Sequence, residues 1–348
     1  MKQFSFFLLL NVLGCTVFGQ NMRILSMNHS DFTAKDNADG NGKFVVLSQY
    51  AQDNSHSAVI STFIKNDFSL AHSFELTHQN MGNEMAIALE NANISAKKNP
   101  TPKNNYYILS HTQSGSFGST DMVLTRLNEN GKILWSKTIG SNGSDWGKIV
   151  VGTGNGALIG GQVSNGSTQQ FYCFVDSAGV LKWSTLLNHS GSNGKIHPLG
   201  NSYYIGGNIT ENGFGKDDMM VAKLDKNGKP TWAKIIGSAA GEGCHRITGG
   251  NGNLYFGGVQ TDGKKSVSVV KCDTTGKIIW KKKYGANQNN ESMQVLSLIN
   301  DTLYVLGKTT SFGAGGADLL ALKIDQNGKL INHNAIGGTG QEFLTRSS

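Results

Sequence analysis

Four of the chain's five tryptophans, Trp135, Trp183, Trp232 and Trp280, are spaced 48, 49 and 48 residues apart, and Asn332 holds the place where the next of the series would fall. Around each runs the same pattern. DMVLTRLNENGKILWSKTIG from Asp121 returns as DMMVAKLDKNGKPTWAKIIG from Asp218 and as SVSVVKCDTTGKIIWKKKYG from Ser266. A worn copy begins at Gln169 and a late one at Asp318. A fixed period of this length is the mark of a solenoid or a propeller. Each copy reads as an alternating strand, a tight turn such as Asn130-Gly131, Asn227-Gly228 or Asn327-Gly328, and a second strand carrying the Trp. Those turns supply the positive-φ positions that a two-residue hairpin demands.

Extending the pattern both ways gives four strands per copy and an all-β fold, a single β-propeller of six four-stranded blades, with seven as the alternative count. The blades are expected at about 22–78, 83–140, 145–188, 193–237, 242–285 and 291–337, with a tail over 342–348. The first copy reads as strands over Ser26–Ala34, Lys43–Tyr50, Ala58–Lys65 and Leu70–Thr77, with a turn over Asp36–Gly42 whose spacing does not fit an EF-hand calcium loop. Asn91–Asn105 reads as a surface insertion. Strand two ends in small residues, Gly160-Gly161, Gly206-Gly207, Gly257-Gly258 and Gly307, where a missing side chain lets a neighbour approach. A four-stranded unit cannot bury both faces alone, so the copies are expected to stack and to close into a ring. With 45 Gly, 4 Pro and 16% charged residues, the chain suits short strands and glycine turns.

Residues 1–19 read as an export signal, leaving 20–348 as the mature propeller. Lys2 gives the positive end, Phe4–Leu13 the apolar run, and Val17-Phe18-Gly19 the cleavage site. That run is too short for a bilayer span of about 20 residues, and no other segment is apolar enough. Val12-Leu13-Gly14-Cys15 is similar to a lipoprotein box, in which Cys15 would be lipidated. The expected location is therefore secreted or at the cell envelope, lipid-anchored if Cys15 is modified. Cys173, Cys244 and Cys272 are an odd set with no disulfide framework and read as buried thiols. The +7 net charge is spread one Lys per repeat and forms no basic patch interleaved with aromatics, which speaks against a nucleic-acid partner.

The GG after strand two, the D-M-V-x-x-L-D-x-N-G-K-x-x-W core and the closing I-G resemble secreted bacterial β-propeller repeat proteins. Asp273-Thr274-Thr275-Gly276-Lys277 with Trp280 also looks like the repeat of quinoprotein propellers. That group includes pyrroloquinoline-quinone dehydrogenases and non-enzymatic outer-membrane scaffold lipoproteins. The dehydrogenases use adjacent cysteines and a calcium held by carboxylate and amide groups. No two cysteines are adjacent here and the copies number six, not eight, so the resemblance implies the non-enzymatic branch. The expected function is an exported, non-catalytic binding or scaffold module without a cofactor, calcium being the one candidate ion. Its expected partner is a protein or a polysaccharide. The alternative is an extracellular carbohydrate-active or quinoprotein-like enzyme.

One ordered constellation of polar residues stands out. Glu84, Asp145, Glu242, Glu291 and Glu342 open strand one, with Asn193 in the remaining place, while Asp121, Asp218 and Asp318 open strand three. The plainer reading is that each carboxylate accepts backbone N–H bonds at a turn. The other is an anionic, loop-rich face that takes a cation or a hydroxyl-rich ligand, opposite a face carrying Lys132, Lys229, Lys277 and Lys329. His197 and His245, in adjacent strand-one segments, are expected to face a central channel. No zinc, phosphate-loop or nucleophile-elbow pattern is present.

Overall fold

The computed structural model describes the backbone of five strands between residues 31 and 91. It then describes residues 106–342 apart from 114–116, 129–131, 188–192, 211–212, 216 and 286–289, and side chains from Tyr106 onward. The signal segment, Cys15, Glu84 and the greater part of the 91–105 insertion lie outside the described residues.

Twenty-four strands form six antiparallel sheets of four, each in the order of the sequence. The first holds β1 (Asp31–Ala38), β2 (Phe44–Ala51), β3 (Ser57–Ile64) and β4 (Leu70–Leu76). The second holds β5 (Met85–Asn91), β6 (Tyr106–Thr112), β7 (Asp121–Leu127) and β8 (Ile133–Ile139). The third runs β9 (Trp146–Thr153), β10 (Gly156–Asn165), β11 (Ser167–Asp176) and β12 (Leu181–Leu187). In the fourth are β13 (Asn193–Leu199), β14 (Ser202–Ile209), β15 (Asp218–Asp225) and β16 (Pro230–Ile236). The fifth has β17 (Gly241–Gly250), β18 (Asn253–Asp262), β19 (Lys264–Asp273) and β20 (Ile278–Tyr284). The sixth has β21 (Glu291–Ile299), β22 (Thr302–Thr309), β23 (Asp318–Ile324) and β24 (Leu330–Ile336). This is the all-β, propeller-like fold of six four-stranded units that the repeat predicts.

Two expectations change. β1 begins at Asp31 and runs through Asp36–Ala38, so part of the stretch read as a turn is strand. Ring closure is not seen either. Each sheet packs on the next from first to sixth, but no strand of the sixth packs against the first as neighbours do. Ile336 at the end of the sixth sheet's outer strand is accordingly exposed, where its counterparts Ile236 and Tyr284 are buried.

The core is a series of slabs between sheets, because the central strands are buried on both faces. Leu109, Met122 and Leu124 of the second sheet meet Ile159, Phe171 and Cys173 of the third. Leu158 and Tyr172, one residue out of phase, point the other way onto Ile205 and Met220 of the fourth. Further slabs join the fourth to the fifth and the fifth to the sixth. The period-2 alternation of a strand thus sends successive side chains into successive slabs.

The double glycines do the work assigned to them. A Cβ on Gly206 would lie 2.5 Å from Cys244 Sγ, and one on Gly257 2.7 Å from Met293 Sδ, both on the next sheet's first strand. Their partners, Gly161, Gly258 and Gly307, face the backbone of their own sheet's first strand at a bulge. Cys173, Cys244 and Cys272 are free and buried, and burial pushes the Cys244 and Cys272 thiols up to about 12.

The bulge gives a test. Gly258→Ala drives a methyl into the Gly243 carbonyl, which is backbone and cannot swing away. It should cost about 2–3 kcal/mol in denaturant unfolding. Gly241→Ala in the same sheet, whose new methyl would meet nothing nearer than Thr261 Cβ at 4.0 Å, should change stability by no more than about 0.5 kcal/mol. Equal costs would remove the bulge from the account of the joint.

Candidate functional site

Successive sheets are joined at two ends. At one end the indoles of the four periodic tryptophans lie on the positive-φ glycine of the next sheet's turn: Trp135 on Gly179, Trp183 on Gly228, Trp232 on Gly276, Trp280 on Gly328. Trp135 Nε1 donates to Ser177 O at 3.0 Å and Trp280 Nε1 to Gln326 O at 2.9 Å. A cation from strand three reaches the same turn: Arg126 to Ser177 O, Lys223 to Thr274 O, Lys271 to Gln326 O. Each also sits over a strand-two tyrosine, Tyr107, Tyr204 or Tyr255. In the worn third copy Phe174 replaces the cation and stacks with Trp183 and Tyr203.

The carboxylates occupy the other end, where the chain crosses from one sheet to the next. Asp145 N donates to Thr120 O at 2.6 Å, Glu242 N to Asp217 O at 2.6 Å and Glu342 N to Ala317 O at 2.7 Å, tying each crossing to the preceding strand three. Asp145 accepts from Ser141 N, from Ser141 Oγ at 3.0 Å and from Ser164 N at 3.1 Å. Glu242 accepts from Ser238 N at 3.1 Å and meets Lys281 Nζ at 3.4 Å. Glu291 accepts from Thr309 Oγ1 and Ser311 Oγ. Across from the crossing, Asp121 Oδ2 accepts from Phe117 N, and Asp218 Oδ2 from Phe214 N and Gly215 N. Asp318 Oδ2 accepts from Gly315 N at 3.5 Å.

All six of these Asp and Glu residues, Glu342 apart, are essentially without solvent exposure. The structure therefore brings Asp121 to Asp145, Asp218 to Glu242 and Asp318 to Glu342, and presents none of the first five to solvent as a charged mouth. The second oxygens of Asp121, Asp218, Asp318 and Glu342 have no hydrogen-bond partner in the protein. A Cβ on Gly140 would touch both Asp121 and Asp145, and one on Gly337 both Asp318 and Glu342, so these two pairs face across a glycine. Burial first, and then the Asp145 carboxyl, holds Asp121 above the usual carboxylate range. Asn193 does not share the acid's place. It pairs with Gly207 as Cys244 pairs with Gly258, two residues further along the strand.

His197 and His245 lie on β13 and β17, first strands that pack on each other. A Cβ on Gly249 of β17 would lie 3.3 Å from His197 Nε2, and burial lowers the pKa of His197. Among the described residues no group of three or more His, Cys, Asp or Glu is gathered as a metal cluster. Among the described residues no helix is long and apolar enough to cross a membrane.

The alternation between sheets is visible only in this geometry. Asp121, Asp218 and Asp318 are 97 and 100 residues apart, and belong to the second, fourth and sixth sheets. Gln169 and Ser266 stand in the equivalent register in the third and fifth, where strands two and three are joined by a tight turn at Gly166 or Gly263. The larger unit is a pair of sheets. The Asp spacing carried that signal, but the 48-residue period of the tryptophans masks it. Two other members had no sequence signal. Phe117 and Phe214, at the tips of the loops wound on Asp121 and Asp218, are 65% and 67% exposed. His111 Nε2 accepts from Gly147 N at 2.7 Å, as Asn208 Oδ1 does from Cys244 N at 2.8 Å one sheet-pair later.

No protein-family model matches the chain, and no curated relative does. Among solved structures, a variant of the Synechocystis apocarotenoid oxygenase matches at TM-score 0.54 and 11% identity, over 88% of this chain and 71% of that one. A chimera of that oxygenase with RPE65 matches at TM-score 0.53 and 10% identity, over 88% and 72%. At such identity the likeness is one of fold. It nonetheless corrects two expectations. The same sheet arrangement occurs in an oxygenase, so a non-catalytic character does not follow from it, and neither does the expected want of a cofactor. Nothing matched supports the quinoprotein resemblance beyond the repeated four-stranded sheets.

His111 supplies a pH test of the crossing. Burial chiefly, with the Lys148 charge, pushes it down to about 4, partly offset by the Gly147 N–H bond. Its neutral form is the one the fold holds. Between about 6.5 and about 4 the unfolded chain takes up a proton that the folded chain refuses, so stability falls as pH falls through that window and levels below it. The loss should be on the order of 3 kcal/mol. His111→Asn, which copies Asn208, should flatten it in denaturant titrations at pH 7, 5.5 and 4. An unchanged pH slope would remove His111 from the joint.

Proposed function

We propose that residues 1–19 direct export and that the chain from Gln20 works outside the cell. There it engages an extended ligand through the face on which strand three begins. The observation that carries this reading is the placement of the long loops. They occur in alternate sheets, on one face, and each is wound on a buried carboxylate that accepts its tip's backbone N–H. Loops that are long, exposed and held rigid are where recognition sits on a repeat scaffold. On this reading Asp121, Asp218 and Asp318 position the loops, and Asp145, Glu242 and Glu291 hold the crossings behind them. His197 and His245 line the inner strands. The partner is met by the loops rather than by the carboxylates themselves.

The test replaces residues 113–119 and 210–216 with the tight Asn-Gly turn found in the third sheet. It pairs this with Asp121→Gln and Asp218→Ser, the residues standing there in the third and fifth sheets. Wild type and variant are then compared on a panel of polysaccharides and envelope proteins, scored for retention and for released product. The variant should keep its β-sheet circular dichroism and lose retention or turnover at least tenfold. Full activity without the loops overturns the reading, and so does recovery of the unprocessed chain from the cytoplasm alone.

A further inference from the structure

Phe117 and Phe214 are large apolar side chains that stand out in water on an anchored backbone. The N–H of each Phe itself is bound by the buried Asp four residues on. The glycine that follows each ring is equally fixed. A Cβ on Gly118 would collide with the Gly143 carbonyl, and one on Gly215 with the carbonyls of Ser238 and Ala240, all backbone of the crossing to the next sheet. Both tips are thus clamped between a carboxylate and a crossing strand. Their rings are still 65% and 67% exposed. A ring on an anchored backbone spares binding the cost of ordering its loop.

We propose that Phe117 and Phe214 are two stacking platforms for one neutral polysaccharide chain, which lies across the loop face and touches alternate sheets. This rests on the loop-face reading above and names its ligand. The apolar face of a pyranose ring stacks on an aromatic face, while its hydroxyls need neighbours that exchange hydrogen bonds. Ser119 and Asp217, both exposed, stand two and three residues beyond the rings and meet that need. Two lone rings divided by polar surface do not form the contiguous apolar core of a protein interface. Nor do the exposed Ser119 and Asp217 beside them suit an anionic lipid surface, which recruits clustered Lys and Arg. The sixth copy is a natural blank. Ala314 stands four residues before Asp318 where the second and fourth copies have Phe, and Phe312 turns back to pack on His333 at 5.4 Å.

The probes are soluble β-glucan and xylan, each as long polymer and as a short oligosaccharide, with a protein panel and vesicles containing anionic lipid alongside. Phe117→Ala and Phe214→Ala should each weaken binding of the long glycan about fivefold to tenfold. The double variant should lose more than either for the long chain, and the short oligosaccharide should show no such extra loss. Melting temperatures should not move. Ala314→Phe should tighten binding of the long glycan. Unchanged glycan binding in the Phe variants overturns the platforms, and if shortening the loops still abolishes binding the loop-face reading survives without them. Phe-dependent binding of proteins or vesicles but of neither glycan overturns the ligand class, as does wild type that retains neither glycan.

Discussion

A tryptophan laid on its neighbour's turn glycine is the contact on which this architecture depends. The sheet cannot bury both its faces within one copy, so every copy must recognise the next. The indole does so by shape and, for Trp135, Trp232 and Trp280, by a single N–H bond. It needs a flat, side-chain-free surface, and a positive-φ glycine is what a tight hairpin already provides. One residue choice therefore serves two levels: Gly228 lets its own turn close and gives Trp183 a place to lie. Arg126, Lys223 and Lys271 add a charge-assisted bond to the same turns, with their stems along tyrosine rings.

At the opposite end the joint is polar and far costlier to build. Burying Asp121 beside Asp145 opposes ionisation of Asp121, and the backbone N–H groups of the tip offset only part of it. In the fourth-to-fifth joint Lys281 reaches Glu242 and supplies a counter-charge. Such pairs do not explain stability. What they fix is position, since a loop wound on a buried carboxylate has few other conformations. The third and fifth sheets need no such device, because their tight turns leave no loop to hold.

The repeat was legible because its physics is local. Asn-Gly turns, double glycines and the Trp period follow from backbone conformation and close approach, and each appears as a residue type at a fixed spacing. The acids were legible as a pattern but not as a place. Asp and Glu opening a strand read equally as solvated turn residues or as buried acceptors, and only the crossing strand of the next sheet decides. Phe117 and Phe214 stand among Gly and Ser in stretches with no period, so nothing in the chain alone says that those rings face water. The non-catalytic expectation failed for a different reason. It was drawn from motifs that build sheets, and sheets of this kind carry enzymes as well.

The last copy shows how far each residue answers to its neighbour rather than to its own sheet. β23 and β24 keep the register of the other copies, with Lys323 opposite Asn332 as Lys271 is opposite Trp280. Strand pairing therefore does not require the indole. Asn332 is exposed, and a tryptophan there would hold its apolar face in water with no glycine turn to cover it. Ala314 follows the same logic at the other end, where a Phe at the tip would add apolar exposure without adding to the fold. The rings at Phe117 and Phe214 carry that cost while the sixth loop, wound on Asp318 in the same way, does without it. Their exposure is then not a consequence of the loop's construction but something added to it, which is the mark of a contact made with another molecule.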